Sequence, residues 1–141
     1  SPLPGLAAWV RKNPQELAAQ GLEFDAVELA TGGWTADAAV ARRINEALSE
    51  VAARYLTQAK AGRGDGRLPL DPVARFHLGN GARIERINAL GDNSAKGMQQ
   101  SLGVMVNYLY DLDELEQNVE NFACEGTIAT SAAVRRLARP K

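Results

Sequence analysis

The sequence predicts an α+β protein with a helical first half, then a β-hairpin, a further strand and C-terminal helices. Three observations support this class. Apolar residues between positions 40 and 55 recur at the spacing of one helix face. The dipeptide Asn80-Gly81 separates two short runs and favours a two-residue hairpin turn. The run 103–110 has the length and apolar content of a buried strand.

The first half is predicted to contain two main helices. Asn13 is the predicted N-cap of the first, with Pro14 at the first helical position. Glu16 would complete a capping box, and Gly21 would end the helix. Thr35 is the predicted N-cap of the longer helix. The apolar face of that helix comprises Val40, Ile44, Ala47, Leu48, Val51 and Tyr55.

The 141 residues suffice for one domain with its own core. We predict a helical segment over residues 1–67 and a segment over residues 68–141 that carries the functional site. Residues 60–67 form a polar, glycine-containing connector between the two. No strand precedes these glycines and their spacing differs from that of a phosphate-binding loop, so a plain loop is predicted.

The second half is predicted to begin with the hairpin. Its arms are residues 73–78 and 82–90, which would place His77 opposite Ile84. A short helix over 94–100 leads to the strand 103–110. Asp111 then caps a helix that Gly126 ends. The apolar face of that helix comprises Leu112, Leu115, Val119 and Phe122, and a last short helix contains Val134 and Leu137.

Composition excludes several classes of function. The net charge is -1, with 16 basic and 17 acidic residues, so nucleic acid is not an expected partner. A single cysteine, Cys124, and a single histidine argue against a disulfide and against a zinc site. No apolar run approaches the roughly 20 residues that span a bilayer, so no membrane association is expected.

The chain ends suggest where the protein is located. The N-terminus has no initiator methionine and no basic leader, so we expect no signal peptide and expect a longer parent protein. The C-terminal residues 139–141 carry no peroxisomal signal. A cytoplasmic location is the resulting expectation.

Four side chains could carry chemistry, and the residue pattern alone leaves each of them open. His77 titrates near neutrality, at a pKa of roughly 6.5, but a lone strand histidine is more often structural. Tyr108 and Tyr110 share a strand face, where a phenol either binds a ligand or completes a core. Ser1 lies at the chain start, where a serine is usually part of a frayed end.

Several words of the sequence resemble one family closely. They are D-P-V-A-R-F-H-L-x-N-G-A at 71–82, R-I-N at 86–88, D-x-S-x-x-G-x-x-x-S-x-G-x-M-V-N-Y-L-Y at 92–110, and S-P-L-P-G at 1–5. Their order is similar to that in the C-terminal catalytic part of malonyl-CoA decarboxylases. The dense match covers residues 69–110, and the helical first half resembles the family only in helix content and order.

The resemblance implies a fold and an activity. The fold is the second portion of an acyl-CoA-binding domain like the N-acetyltransferase (GNAT) superfold. The activity is decarboxylation of malonyl-CoA to acetyl-CoA and carbon dioxide without a metal or other cofactor, coenzyme A being part of the substrate. The catalytic residues implied are Ser1, His77 and Tyr110, which would stabilise the enolate and the carboxylate. Association with further copies of the chain is also expected.

Some features of the family and some alternatives stay open. Upstream of the S-P-x-P-G word the family carries a carboxylate that orients the histidine and a loop for the coenzyme A pyrophosphate, so half of the cleft is expected outside this chain. One alternative function is another acyl-CoA enzyme, either an acyltransferase or a decarboxylase of a different β-carboxy thioester. A second alternative is a non-catalytic module that binds coenzyme A or serves in assembly.

Overall fold

The computed structural model describes residues 1–62 and 66–139. The first half contains four α-helices and one 3-10 helix, which confirms its predicted helical character. These are α1 (Leu6–Lys12), α2 (Gln15–Ala19), α3 (Ala26–Thr31), the 3-10 helix (Gly33–Ala36) and α4 (Ala38–Gln58). The second half contains α5 (Pro72–Gly79), β1 (Arg83–Asn88), α6 (Ala95–Ser101), β2 (Met105–Leu109), α7 (Leu115–Glu125) and α8 (Ala132–Ala138). The α+β class is therefore confirmed.

The core forms around α4, the longest helix. This helix packs against α8 and β1, and its predicted apolar face is confirmed because every residue of that face except the half-buried Val40 is buried. The side chain of Asp37, rather than Thr35, caps α4 by accepting hydrogen bonds from the amides of residues 39 and 40 at 3.0 and 3.1 Å. The prediction of Thr35 was wrong because Thr35 lies in the 3-10 helix, where its hydroxyl donates to the carbonyl of Gly32.

The predicted cap at Asn13 was also wrong. The side-chain amide of Asn13 donates to the carbonyl of Trp9 at 2.8 Å, so the residue ends α1 and does not begin α2. Pro14 precedes α2, which has no side-chain cap. Glu16 pairs with Arg54 of α4 at 3.0 Å instead of closing a capping box. Gly21, with a positive φ of 72°, follows the end of α2 as predicted.

The first predicted hairpin arm is a helix. Asp71 caps α5 by accepting a hydrogen bond from the Ala74 amide at 2.8 Å, and Pro72 occupies the first turn. Such a cap followed by proline favours a helix start. Asn80-Gly81 is the end of α5, where Gly81 takes a φ of 94°. His77 therefore lies on a helix, and the prediction that it faces Ile84 across a hairpin was wrong.

The sheet is formed by β1 and β2, which pair antiparallel with an irregularity between Ile84 and Arg86. Strand β2 lies within the predicted run 103–110. The predicted strand is therefore confirmed, but its predicted burial was wrong, since Val106 is fully buried whereas Asn107 and Leu109 are exposed. The predicted helix over 94–100 is confirmed as α6, which Ser94 caps.

The C-terminal helices are largely as predicted. Helix α7 begins at Leu115, because Asp111 accepts the amide of Asp113 within a turn and does not cap the helix. Leu112 is 86% exposed, so it does not belong to the apolar face of α7. Gly126 ends α7 with a φ of 71°, as predicted, and α8 buries Val134.

The predicted connector over 60–67 is only partly described. Residues 63–65 lie outside the described part, as do residues 140 and 141 of the C-terminal triplet. On either side of the gap the chain is paired. The amide of Ala61 donates to the carbonyl of Leu68 at 2.9 Å, and the amide of Leu70 donates to the carbonyl of Ala59 at 2.9 Å. Among the described residues, no helix combines the length and the apolar character needed to cross a bilayer.

Candidate active site

The three residues predicted to be catalytic meet at one imidazole. The Nε2 atom of His77 lies 3.3 Å from the Oγ atom of Ser1, and its Nδ1 atom lies 2.6 Å from the hydroxyl oxygen of Tyr110. They belong to three separate parts of the fold: the N-terminal segment, the last turn of α5 and the end of β2. Each imidazole nitrogen thus has one hydroxyl neighbour.

Two further aromatic rings fix the plane of the imidazole. The ring of Tyr108 stacks on it, with centroids 4.3 Å apart and planes inclined by 21°. The ring of Phe76 contacts it edge-on, with centroids 5.2 Å apart. Stacked and edge-to-face rings are favourable arrangements, and here they restrict rotation of the histidine. The ring is held so that its two nitrogens point at the two hydroxyls.

Backbone hydrogen bonds to strand β2, and not bonds of its side chain, fix the position of Ser1. Its backbone nitrogen donates to the carbonyl of Val106 at 2.8 Å, and the amide of Val106 donates to the carbonyl of Ser1 at 2.9 Å. This reciprocal pair places Ser1 beside β2 on the edge opposite β1. The next residues are anchored too, since Leu3 is fully buried between two prolines. The reading of Ser1 as a frayed end is therefore wrong for this structure.

The site favours neutral forms of its titratable groups. Burial lowers the pKa of His77. Burial raises the pKa of Tyr108, as does the proximity of Asp71. The hydroxyl of Tyr108 is buried without a hydrogen-bond partner among the described residues. The lowered pKa of His77 favours the neutral imidazole, which has one nitrogen to donate a proton and one to accept.

The lowered pKa of His77 predicts a pH dependence of stability. The unfolded chain, with an ordinary pKa of about 6.5, binds the proton at a higher pH than the folded chain does. Stability should therefore rise with pH through the window from the lowered pKa up to about 6.5, and it should fall as the pH drops through that window.

Urea unfolding at several pH values between 5 and 8 measures this effect, with His77→Gln as the non-titrating reference. As the pH falls, the urea midpoint of the unmodified chain should decrease relative to that of His77→Gln. A constant difference across the range would contradict the lowered pKa of His77.

The other candidates from the sequence do not join this cluster. Cys124 is an exposed free thiol at the end of α7. Asp111 and Glu114 form ion pairs with Arg83, at 3.5 and 3.0 Å. In the described ranges, no group of three or more histidine, cysteine, aspartate or glutamate side chains is placed to hold a metal ion.

Comparison with known proteins decides the family. The model of the malonyl-CoA decarboxylase C-terminal domain matches residues 1–141, the whole chain. The chain belongs to the malonyl-CoA decarboxylase family. The resemblance that the sequence words indicated is thereby confirmed.

Relatives of known sequence and structure agree with this membership. Mitochondrial malonyl-CoA decarboxylase of Rattus norvegicus is 38% identical over 109 residues, which are 77% of this chain and 21% of that protein. The crystal structure of malonyl-CoA decarboxylase from Rhodopseudomonas palustris matches 98% of this chain at a TM-score of 0.80 and 46% identity. That from Agrobacterium vitis matches 99% at a TM-score of 0.79 and 41% identity.

These malonyl-CoA decarboxylases are much longer than the chain. It spans about a fifth of the rat protein, and 32% and 34% of the two solved bacterial chains. The family relationship therefore concerns only the matched part of those proteins.

Proposed function

We propose that the natural protein containing this chain decarboxylates malonyl-CoA to acetyl-CoA and carbon dioxide, with Ser1, His77 and Tyr110 as its catalytic centre. One observation carries the proposal. In a member of the malonyl-CoA decarboxylase family, the imidazole of His77 has a hydroxyl within hydrogen-bonding distance of each of its nitrogens. Such a cluster supplies hydrogen-bond donors and a proton without carrying a charge of its own.

The reaction requires both the hydrogen-bond donors and the proton. The bond between Cα and the carboxylate breaks, carbon dioxide leaves, and the electron pair passes into the thioester as an enolate. Donors aimed at the developing oxyanion lower the barrier, typically by about 3–4 kcal/mol for one well-placed donor. The enolate carbon then takes a proton, and acetyl-CoA results. Ser1 Oγ and His77 Nε2 are the groups proposed to contact the thioester oxygen and the leaving carboxylate.

Tyr110 has a role in either tautomer of His77. When its hydroxyl donates to Nδ1, the proton resides on Nε2, which then donates towards Ser1. When Nδ1 carries the proton and donates to Tyr110, Nε2 accepts from the Ser1 hydroxyl. Both arrangements connect the three residues into one proton path. Tyr110 is 39% exposed, so solvent can restore the proton that the path delivers.

Coenzyme A enters this proposal as part of the substrate, and no separate cofactor is assigned a step. The carboxylate and the pyrophosphate-binding loop that the family carries upstream of its S-P-x-P-G word remain predictions for this protein. Assays should therefore use the natural protein in full length. Self-association and a cytoplasmic location also stay predictions, which sedimentation and cell fractionation measure. The rat relative is mitochondrial by name.

The deciding assay supplies malonyl-CoA with no acceptor and follows acetyl-CoA and carbon dioxide. Formation of both products in equal amounts is the expected result. An acyltransferase would form no acetyl-CoA under these conditions, because it needs an amine acceptor. Turnover of methylmalonyl-CoA with none of malonyl-CoA would indicate a decarboxylase of a different β-carboxy thioester. Binding of coenzyme A with no turnover of either compound would support the non-catalytic module.

A further inference from the structure

A buried tyrosine lies between the two segments that carry Ser1 and His77. Tyr55, in the last turns of α4, is only 1% exposed, and its ring contacts that of Trp9 with centroids 5.3 Å apart. Its hydroxyl donates to Oδ1 of Asp71 at 3.3 Å. Neither Tyr55 nor Asp71 contacts the imidazole of His77 directly. They act on the site through the segments that they contact, which carry His77 and Ser1.

Asp71 holds the helix that carries His77. It is fully buried, and both of its carboxylate oxygens are used: Oδ2 accepts the Ala74 amide at 2.8 Å, and Oδ1 accepts the Tyr55 hydroxyl. A capping bond of this kind fixes the first turn of a helix. Helix α5 has only eight residues, so the position of its first turn determines where His77, near its other end, is placed.

Gly5 brings the segment of Ser1 against the same hydroxyl. A Cβ atom on Gly5 would overlap with the Tyr55 hydroxyl oxygen. The backbone of Gly5 has a φ of -93° and a ψ of -3°, and a negative φ of this size does not require glycine. Glycine is therefore required at this position by the closeness of Tyr55 and not by the backbone conformation. The segment from Ser1 to Gly5 thus contacts the Tyr55 hydroxyl, the same group that donates to Asp71.

We propose that the Tyr55 hydroxyl is a positioning group that sets the separation between Ser1 Oγ and His77 Nε2. It does so by binding the cap of α5 on one side and by contacting Gly5 on the other. The inference rests on the proposed function for its catalytic consequence, but its structural content stands on these contacts alone. Burial and the nearby Asp71 raise the pKa of Tyr55, so the phenol keeps its proton and remains the donor of the bond.

Tyr55→Phe is the first test, because it removes one oxygen and keeps the ring. In the natural full-length protein, kcat for malonyl-CoA should fall by about 10- to 100-fold with KM nearly unchanged, since a displacement near 1 Å has that effect. The imidazole NMR signal of His77, assigned by its absence in His77→Gln, should titrate at a higher pKa, closer to about 6.5, because a loosened site hydrates the ring.

A matched control is Ser131→Ala, which also removes a hydroxyl at a helix cap. Ser131 accepts the amide of Val134 at the start of α8 and donates to the carbonyl of Glu85, with no contact to His77. This variant should lose stability and leave both kcat and the titration of His77 unchanged. An identical change of the His77 titration in both variants would show general loosening and overturn the proposal.

Gly5→Ala tests the same contact from the other side. Its added methyl group should displace the segment of Ser1 and lower kcat, and combining it with Tyr55→Phe should restore part of that loss because the oxygen is gone. A double variant that is fully additive would contradict the contact.

The titration of His77 also keeps this inference separate from the proposed function. If the natural protein fails to convert malonyl-CoA, the proposed function is lost, and the titration still decides whether Tyr55 positions the site. A His77 pKa that is unchanged in Tyr55→Phe overturns the inference whatever the turnover.

Discussion

Replacing His77 with glutamine is expected to lower kcat for malonyl-CoA by about 100- to 10,000-fold, the usual contribution of a general acid or base. Glutamine is polar and similar in length, but it neither titrates nor offers two nitrogens to the hydroxyls of Ser1 and Tyr110. The proton path between these hydroxyls is then interrupted. Steady-state kinetics with malonyl-CoA, followed as acetyl-CoA release, measure the loss.

Gly79→Ala is the control on the same helix. A Cβ atom at this position would meet nothing within 4 Å, and Gly79 lies within α5 with an ordinary φ. The control should therefore retain full activity and lose no stability. If His77→Gln kept most of its turnover while remaining folded, the imidazole would not be the chemical centre and the proposed function would need another catalytic group.

The helices that sequence reasoning located well are those with a local signal. Helix α4 combines a long apolar stripe with few competing turn residues, and α6 and α8 each begin after a serine cap. Helix α5 was missed because two local signals compete. Asp71-Pro72 favours a helix start, whereas Asn80-Gly81 favours a hairpin, and the hairpin signal is equally compatible with a helix end. Packing against α7 and β1 decides between them.

The site was accessible to sequence reasoning only in part. Ser1 and Tyr110 lie 76 and 33 positions from His77, so no local spacing connects them, and the family words alone placed all three together. Strand alternation did predict that Tyr108 and Tyr110 share a face, and both contact the imidazole. Phe76 was missed, because consecutive residues on a strand point to opposite faces, whereas on helix α5 the rings of Phe76 and His77 lie edge to face with centroids 5.2 Å apart.

The second large effect is expected from Gly81→Ala, which should destabilise the fold by on the order of 3 kcal/mol. Gly81 has a φ of 94°, a conformation that costs a residue with a Cβ atom roughly 1–2 kcal/mol. The new Cβ atom would also lie 2.7 Å from the carbonyl oxygen of Leu115 and 3.1 Å from a methyl group of Val119. Because the carbonyl oxygen of Leu115 belongs to the backbone of α7, it cannot rotate away as a side chain can. The overlap is therefore relieved only if α5 moves away from α7.

Urea unfolding measures this loss, and Gly79→Ala again supplies the matched comparison, since the same methyl group is added two residues earlier into open space. A small stabilisation is expected there, because alanine favours a helix over glycine by up to about 1 kcal/mol. Equal midpoints for the two variants would contradict the close packing of α5 on α7. The displacement also predicts a functional result: since Gly81 ends the helix that carries His77, Gly81→Ala should lower kcat under conditions in which the protein is still folded.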